Sequence, residues 1–153
     1  MRKFAAMAFL LALGSTGPLL APPAHADAAG VVGERHALMK EMGKNLGVVK
    51  GFLTENKGSS ADVAAAAGVV AADADKIPSL FPEGTDLNAM PDDNEAKPEI
   101  WSNWSDFQAK AQALHEAALA LASAAEGGDK AAIGAAFGDV GKSCSACHST
   151  YRK

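Results

Sequence analysis

The chain has 153 residues, with 18 acidic side chains against 14 basic ones and a formal net charge of −4. A chain of this length predicts one domain. An acidic surface is poorly suited to nucleic acid or to anionic membranes, so no nucleic-acid function is expected and soluble partners are favoured.

The first 26 residues have the order of a secretory signal peptide. Arg2 and Lys3 precede an apolar run over residues 4–13, and Ala-His-Ala at 24–26 forms an A-x-A cleavage site. The apolar run is too short to cross a bilayer, so we expect no membrane span in the mature chain. If it were left uncleaved, the segment would tether the protein.

Cleavage before Asp27 predicts a single mature domain, residues 27–153. Loss of the two basic residues leaves 12 Lys and Arg against 18 acidic side chains, a net charge of −6. Export predicts that the mature protein lies in the periplasm.

Two amphipathic helices are predicted in the first half of the mature chain. Residues 29–53 and the segment after Asp62 both place larger apolar side chains three and four positions apart, which is the period of one helix face. The polar residues 54–60 predict a turn, Asp62 is a candidate cap for the second helix, and Pro78 predicts its end. The two stripes are Val32, Arg35, Met39, Met42, Leu46, Val49 and Leu53, and then Val63, Ala67, Val70, Ala74 and Ile77.

Residues 78–98 form the only long irregular stretch, with four prolines. We expect a crossover connection between helices, with Leu80, Phe81 and Leu87 against the core. A solvated linker would rarely carry such residues.

Two more helices are predicted after Pro98. The third is expected to be continuous over about six turns until the Gly-Gly pair at 127–128, and Asp129 is expected to cap the fourth. Their stripes are Ile100, Trp104, Phe107, Ala111, Leu114, Ala118 and Leu121, and then Ile133, Phe137, Val140, Cys144, Cys147 and Tyr151.

The last helix carries Cys-x-x-Cys-His at residues 144–148, the attachment signature of a c-type haem. Two thiols, Cys144 and Cys147, can form thioether bonds with the two vinyl groups of the porphyrin. His148 can then serve as an axial ligand of the iron. The sequence therefore predicts one covalently bound haem c per chain.

Three other readings of the cysteines remain open. A thioredoxin-like dithiol usually follows a strand in a βαβ unit, and no strand is predicted here. A structural zinc site needs four ligands, and the further candidates are only His36 and His115. A disulfide between cysteines one helical turn apart would cross-link very little chain.

Four amphipathic helices and one long connection, between helices 2 and 3, predict an all-α antiparallel four-helix bundle. In such a bundle the end of the last helix lies beside the start of the first. Residues 35–42 are therefore expected opposite residues 144–148.

Four sequence features together resemble the class II c-type cytochromes, the group that contains cytochrome c prime and its low-spin relatives. They are Arg-His-Ala-Leu-Met-Lys at 35–40, Leu-Phe-Pro-Glu-Gly-Thr at 80–85, Lys-Pro-Glu-Ile-Trp at 97–101, and the C-terminal haem motif followed by Tyr-Arg-Lys. The resemblance implies a bundle that is often a homodimer. It also implies that Arg35 lies near a haem propionate and that Met39 stands over the distal face of the iron.

Met39 leaves two functions open. If its sulfur is the sixth ligand, with His148 as the fifth, the protein is a periplasmic single-electron carrier that meets soluble or membrane-associated redox partners. This is the reading favoured by the sequence. If Met39 only packs, the iron is five-coordinate and binds nitric oxide or carbon monoxide. Met42, one turn further along, is a less favoured candidate for the sixth ligand. Neither function would make the protein an enzyme.

The remaining polar and aromatic residues have simpler interpretations. His36 is expected to face solvent, His115 to meet solvent or a helix partner, and the two tryptophans to pack. A basic collar near the haem motif, made of Lys142, Arg152 and Lys153, would orient a redox partner or complement the helix dipole.

Overall fold

The computed structural model describes residues 28–90, 92 and 94–153. The predicted signal peptide and its cleavage site lie outside these residues. Five helices are present in the described part: α1 Ala28–Glu55, α2 Ser60–Lys76, α3 Glu99–Ser102, α4 Trp104–Glu126 and α5 Lys130–Tyr151.

The turn between α1 and α2 ends in a capping box. The Ser59 side chain accepts a hydrogen bond from the backbone N–H of Asp62, and the Asp62 carboxylate accepts one from the Ser59 N–H. The prediction that Asp62 caps the second helix was therefore wrong in position. Ser59 is the cap, and Asp62 completes the box from three residues along the chain.

The predicted third helix is broken at Asn103 into α3 and α4. The backbone of Asn103 leaves the helical region, with φ −122° and ψ 40°, and its side chain donates a hydrogen bond to the Glu99 carbonyl. Such a local bond gives the backbone an alternative to continuing the helix. Periodicity did not reveal this break, because the apolar stripe continues on both sides of it.

The long helices pack as an antiparallel four-helix bundle, which confirms the predicted fold class. α2 lies between α1 and α4, and α4 in turn packs on α5. The fully buried positions are largely aliphatic, with alanine allowing close approach of α2 and α4. No helix in the described part is long and apolar enough to cross a membrane. The core includes Val49, Val63, Ala67, Val70, Ala74, Ile100, Ala118, Leu121, Ile133 and Val140.

The crossover connection runs over residues 77–98 and is hydrogen-bonded both to α1, near its start, and to the end of α5. It begins with one 3-10 turn, Pro78–Leu80, and Leu80 and Phe81 pack against the core as predicted. Leu87 is half-buried but is not among the residues packed on the core. Near its end, Ala96 forms an isolated antiparallel bridge with Arg152.

The capping box gives a stability prediction. Ser59→Ala should lower the free energy of unfolding by about 1 kcal/mol, because it removes the acceptor for an N–H in the first turn of α2. Denaturant unfolding of the purified protein measures the change. The neighbouring Ser60→Ala is the matched control, and equal losses in both variants would show that Ser59 contributes nothing as a cap.

Candidate haem site

The haem motif lies in the last two turns of α5, which begins at a well-formed cap. The Asp129 carboxylate accepts a hydrogen bond of 2.9 Å from the Ala131 N–H, as the sequence predicted. Val140 and Tyr151 are buried before and after the motif, and Cys144 and Cys147 are half-buried. The two cysteines, one helical turn apart, therefore both lie toward the bundle.

The thiols are in the state that attachment to a cofactor requires, because they are free and not joined in a disulfide. Burial raises the pKa of Cys144, and it raises the pKa of Cys147 to about 11 despite the nearby positive charge of Lys110. A reactive redox dithiol needs the opposite shift. The raised thiol pKa values therefore disfavour the thioredoxin-like interpretation.

His148 follows Cys147 directly and is exposed as a residue. Partial desolvation of its ring lowers its pKa, the charge of Arg152 lowers it further, and Glu95 acts in the opposite direction. A lowered pKa favours the neutral imidazole, which is the form that binds a metal. Within the described part of the chain, no three His, Cys, Asp or Glu side chains come together as a metal cluster, so the structure provides no zinc site.

The seam between α1 and α5 is loosely closed. These helices approach each other at only a few positions. One contact is at the far end of the seam, where a Cβ added to Gly134 would lie 3.9 Å from Leu53 Cδ2. Apolar side chains on both sides of the seam are half-buried rather than buried, although they touch the core: Met39 and Leu46 on α1, and Phe137, Cys144 and Cys147 on α5.

These residues fit a covalently attached haem. Two free thiols and an imidazole follow one another on one helix, and incompletely buried apolar side chains border the seam that faces the first helix. A flat apolar cofactor in that seam would remove this surface from water, at about 25 cal/mol for each Å² buried.

Arg35 is a buried cation in the second turn of α1, with 4% of its surface exposed. Its Nε donates to the Leu80 carbonyl at 2.5 Å, its Nη1 donates to the Thr85 carbonyl at 3.0 Å, and its Nη2 donates to the Thr85 hydroxyl. The guanidinium also lies over the Phe81 ring, 4.0 Å from the centroid, and burial lowers its pKa to about 10. Arg35 remains charged at neutral pH and fastens the crossover connection to α1.

Arg35 has no acidic partner among the side chains of residues 28–90, 92 and 94–153. A guanidinium carries five N–H groups, and two of them lie outside the three bonds to the connection. Such a group can accept a carboxylate as an additional partner. The predicted contact with a haem propionate stays a prediction, and the three bonds to Leu80 and Thr85 are a role that the sequence did not reveal.

The two candidate methionines of α1 have different environments. Met42 is buried in the core with 6% of its surface exposed, whereas Met39 is half-buried and packs on the edge of the core. Met39 lies one turn after Arg35 on the same side of the helix. The structure thus separates a core methionine from one at the seam.

An aromatic cluster joins the crossover connection to α5. The Phe81 ring lies 4.8 Å from that of Phe107, which lies 5.5 Å from that of Tyr151. Trp101 Nε1 donates to the Phe81 carbonyl at 3.1 Å, and Trp104 stacks on Phe107. The predicted packing roles of both tryptophans are therefore observed. The link through Phe81 was missed because it joins residues far apart in the sequence.

The other predicted polar residues have nearby partners. His115 Nδ1 lies 2.9 Å from a carboxylate oxygen of Asp75 and 3.2 Å from the Ala71 carbonyl, so it contacts α2. His36 is half-buried. In the basic collar, Lys142 pairs with Asp139 at 2.7 Å and Arg152 pairs with Glu95 at 2.5 Å. These carboxylates partly neutralise the positive charge that the basic collar would need to orient a redox partner.

Comparison with known proteins agrees with the haem site inferred from these residues. The family model described as cytochrome c' matches residues 30–152. Cytochrome c-554 of Cereibacter sphaeroides is 38% identical over 148 residues, which cover 93% of this chain and 95% of that protein.

Solved structures agree with these relatives. Cytochrome c' from Thermochromatium tepidum matches with a TM-score of 0.73 and 39% identity, covering 83% of this chain and 97% of that one. A nitric oxide complex of a variant of cytochrome c prime from Alcaligenes xylosoxidans matches with a TM-score of 0.72 and 32% identity, covering 84% and 98%.

The fold and the site are those of a protein that carries haem c covalently. The chain belongs to the cytochrome c' family, the class II c-type cytochromes. The resemblance in the four sequence features is thereby confirmed.

Tyr151 gives a pH prediction for this site, because it is the only tyrosine of the chain. Burial raises its pKa to about 12, and its 2.6 Å hydrogen bond to Asp106 acts in the same direction. Phenolate absorbance should therefore appear near pH 12 in the folded protein and near the ordinary value of about 10 after denaturation. The stability contributed by protonated Tyr151 is complete below about pH 10 and is lost as the pH rises through about 12.

Tyr151→Phe is the control for this titration, since its spectrum contains every contribution except the phenolate. A native step near pH 10 that is absent from the control would show that Tyr151 is neither buried nor bonded to Asp106.

Proposed function

We propose that the protein is a periplasmic haem protein with five-coordinate iron, which binds nitric oxide or carbon monoxide on the distal side. Cys144 and Cys147 anchor the porphyrin, His148 is the proximal ligand, and Arg35 pairs with a propionate. Met39 forms an apolar cover over the distal face. The observation that carries this proposal is that Met39 already packs against the bundle core.

Two further points support the proposal. A sulfur atom held by packing needs a change of packing before it can reach a metal, and a methionine on an apolar helix face is a common core filler. Among the similar solved structures, a variant of cytochrome c prime from Alcaligenes xylosoxidans is described as a nitric oxide complex.

The chain's own residues would then have distinct tasks. The haem supplies the iron that binds the diatomic ligand. α5 holds the two thioether anchors and the imidazole in one rigid unit, so the proximal side cannot shift independently of the porphyrin edge. On the other side, Met39 excludes water and larger ligands, and Arg35 holds the connection close to the start of α1.

A second candidate is single-electron transfer with Met39 as the sixth ligand. The half-buried state of Met39 favours it, because the sulfur lies at the edge of the core and not inside it. Thioether ligation would raise the reduction potential and close the distal site.

Export and partners belong to the same proposal. The signal-like segment 1–26 and covalent haem attachment both favour the periplasm. Electron-transfer partners would be soluble or membrane-associated proteins, and a homodimer is consistent with the family. We propose no turnover of an organic substrate.

The spin state of the oxidised protein separates the two candidates. The five-coordinate proposal predicts a high-spin spectrum and no methionine-to-iron charge-transfer band, together with a spectral change on adding nitric oxide or carbon monoxide to the ferrous form. Met39→Ala should raise the association rate of carbon monoxide by about tenfold, which corresponds to a barrier lower by about 1.4 kcal/mol. Stopped-flow mixing measures this rate.

Met39→Leu and Met42→Leu form the matched pair for this test, because each removes a sulfur atom at nearly constant volume. Both should keep the wild-type spectrum if Met39 only packs. A low-spin wild type that becomes high-spin in Met39→Leu alone would replace this proposal with the electron-transfer function.

A further inference from the structure

The crossover connection contains a hydrogen-bonded path whose first anchor is Arg35 on α1. Thr85 is 3% exposed, and both its carbonyl and its hydroxyl oxygen accept bonds from the Arg35 guanidinium. The hydroxyl also donates to the Pro82 carbonyl at 2.7 Å. Gly84, with φ +76°, permits the turn that brings Thr85 to Arg35.

Asn94 forms the central junction of this path and is itself buried, with 8% of its surface exposed. Its Nδ2 donates to the Thr85 carbonyl at 3.1 Å, and its Oδ1 accepts from the Ala96 N–H at 3.1 Å. The amide orientation is determined by its partners, since a carbonyl can only accept and an N–H can only donate. No other amino acid of this size and neutral charge offers both bonds.

The path ends on the tail of α5, beyond His148. The Lys97 N–H donates to the Tyr151 carbonyl at 3.0 Å, and the Lys153 N–H donates to the Glu95 carbonyl at 2.9 Å. Arg152 Nε donates to the Glu95 carboxylate at 2.6 Å. Residues 95–97 therefore hold the end of the helix that carries the proximal imidazole.

We propose that Asn94 is a positioning residue for His148, because it joins Arg35 on the distal helix to the C-terminal tail of α5 through Thr85 and Ala96. A displacement of Arg35 on the distal side of the haem site would then shift the C-terminal end of α5 on the proximal side. Coupling of this kind needs a continuous set of packed and hydrogen-bonded groups, and the described contacts supply one. This inference rests on the proposed axial role of His148, and it holds for either candidate function.

Hydrogen exchange of the oxidised holoprotein tests the path. Asn94→Ala removes both junction bonds and should speed exchange of the Lys97 and Lys153 amides by about tenfold or more, since the loss of each buried hydrogen bond corresponds to a factor of about three to ten. Asn88→Ala is the matched control, since Asn88 lies in the same connection but is exposed. Equal exchange rates in the two variants would overturn the proposal.

Transmission from the distal side needs a second comparison. Arg35→Lys removes the planar fork and should speed exchange of the Lys153 amide in the wild-type background. In the Asn94→Ala background the same substitution should change the exchange rate of the Lys153 amide little further, because the hydrogen bonds between Thr85 and Ala96 through Asn94 are already lost. An equal factor in both backgrounds, or no effect in the wild type, would show that Asn94 does not carry the coupling.

The iron–histidine stretching band measures the position of His148 relative to the haem. Resonance Raman spectra of the ferrous Met39→Ala protein give the iron–histidine stretching band whether or not Met39 is a ligand in the wild type. Adding Asn94→Ala should shift this band, while adding Asn88→Ala should not. An unshifted band would refute the positioning role, whereas a failure of gas binding would leave the band test intact and count only against the five-coordinate proposal.

If Asn94→Ala yields no holoprotein, Asn94→Ser takes its place, because a serine hydroxyl is too short to keep both junction bonds. The same exchange and Raman outcomes then decide the proposal.

Discussion

Proteins of this family carry their haem covalently, and its proposed attachment at Cys144 and Cys147 is the constraint on which the rest of our account depends. The two thiols must meet one edge of a rigid, flat cofactor while the next residue, His148, approaches its centre, and a continuous helix keeps these three groups in register. α5 meets this requirement with a capped start and with buried positions before and after the motif. The loose seam toward α1 is consistent with the same requirement, because helices that hold a flat group between them cannot pack closely there.

The crossover connection links this proximal helix to the distal one. Arg35 fixes its beginning, and the backbone bonds of Lys97 and Lys153 fix its end. Arg35 therefore has two tasks in our account, since it anchors the connection and faces the expected position of a propionate. A buried arginine costs desolvation free energy unless its N–H groups are satisfied, and the carbonyls of Leu80 and Thr85 offset that cost.

The sequence predicted much of the fold because helix periodicity, Pro78, Asp129 and the haem motif are local signals. Periodicity did not reveal the break at Asn103, because the apolar stripe continues on both sides of it. The break comes instead from a local side-chain hydrogen bond to the Glu99 carbonyl, which has no periodic signature. The cap of α2 was misplaced by three residues, since Ser59 and Asp62 are both good capping residues and only geometry distinguishes their roles. The Arg35–Thr85–Asn94 path was not predictable, because its members are separated by up to 59 positions and have no periodic signature.

Intact-mass spectrometry of the purified protein under denaturing conditions tests the central claim most directly. Covalent attachment predicts that the chain keeps the added mass of one haem after unfolding and extraction with acidified solvent, and that replacing both cysteines by alanine abolishes that mass. A correctly processed wild-type chain that carries no added mass would contradict the account, whatever colour the folded sample has.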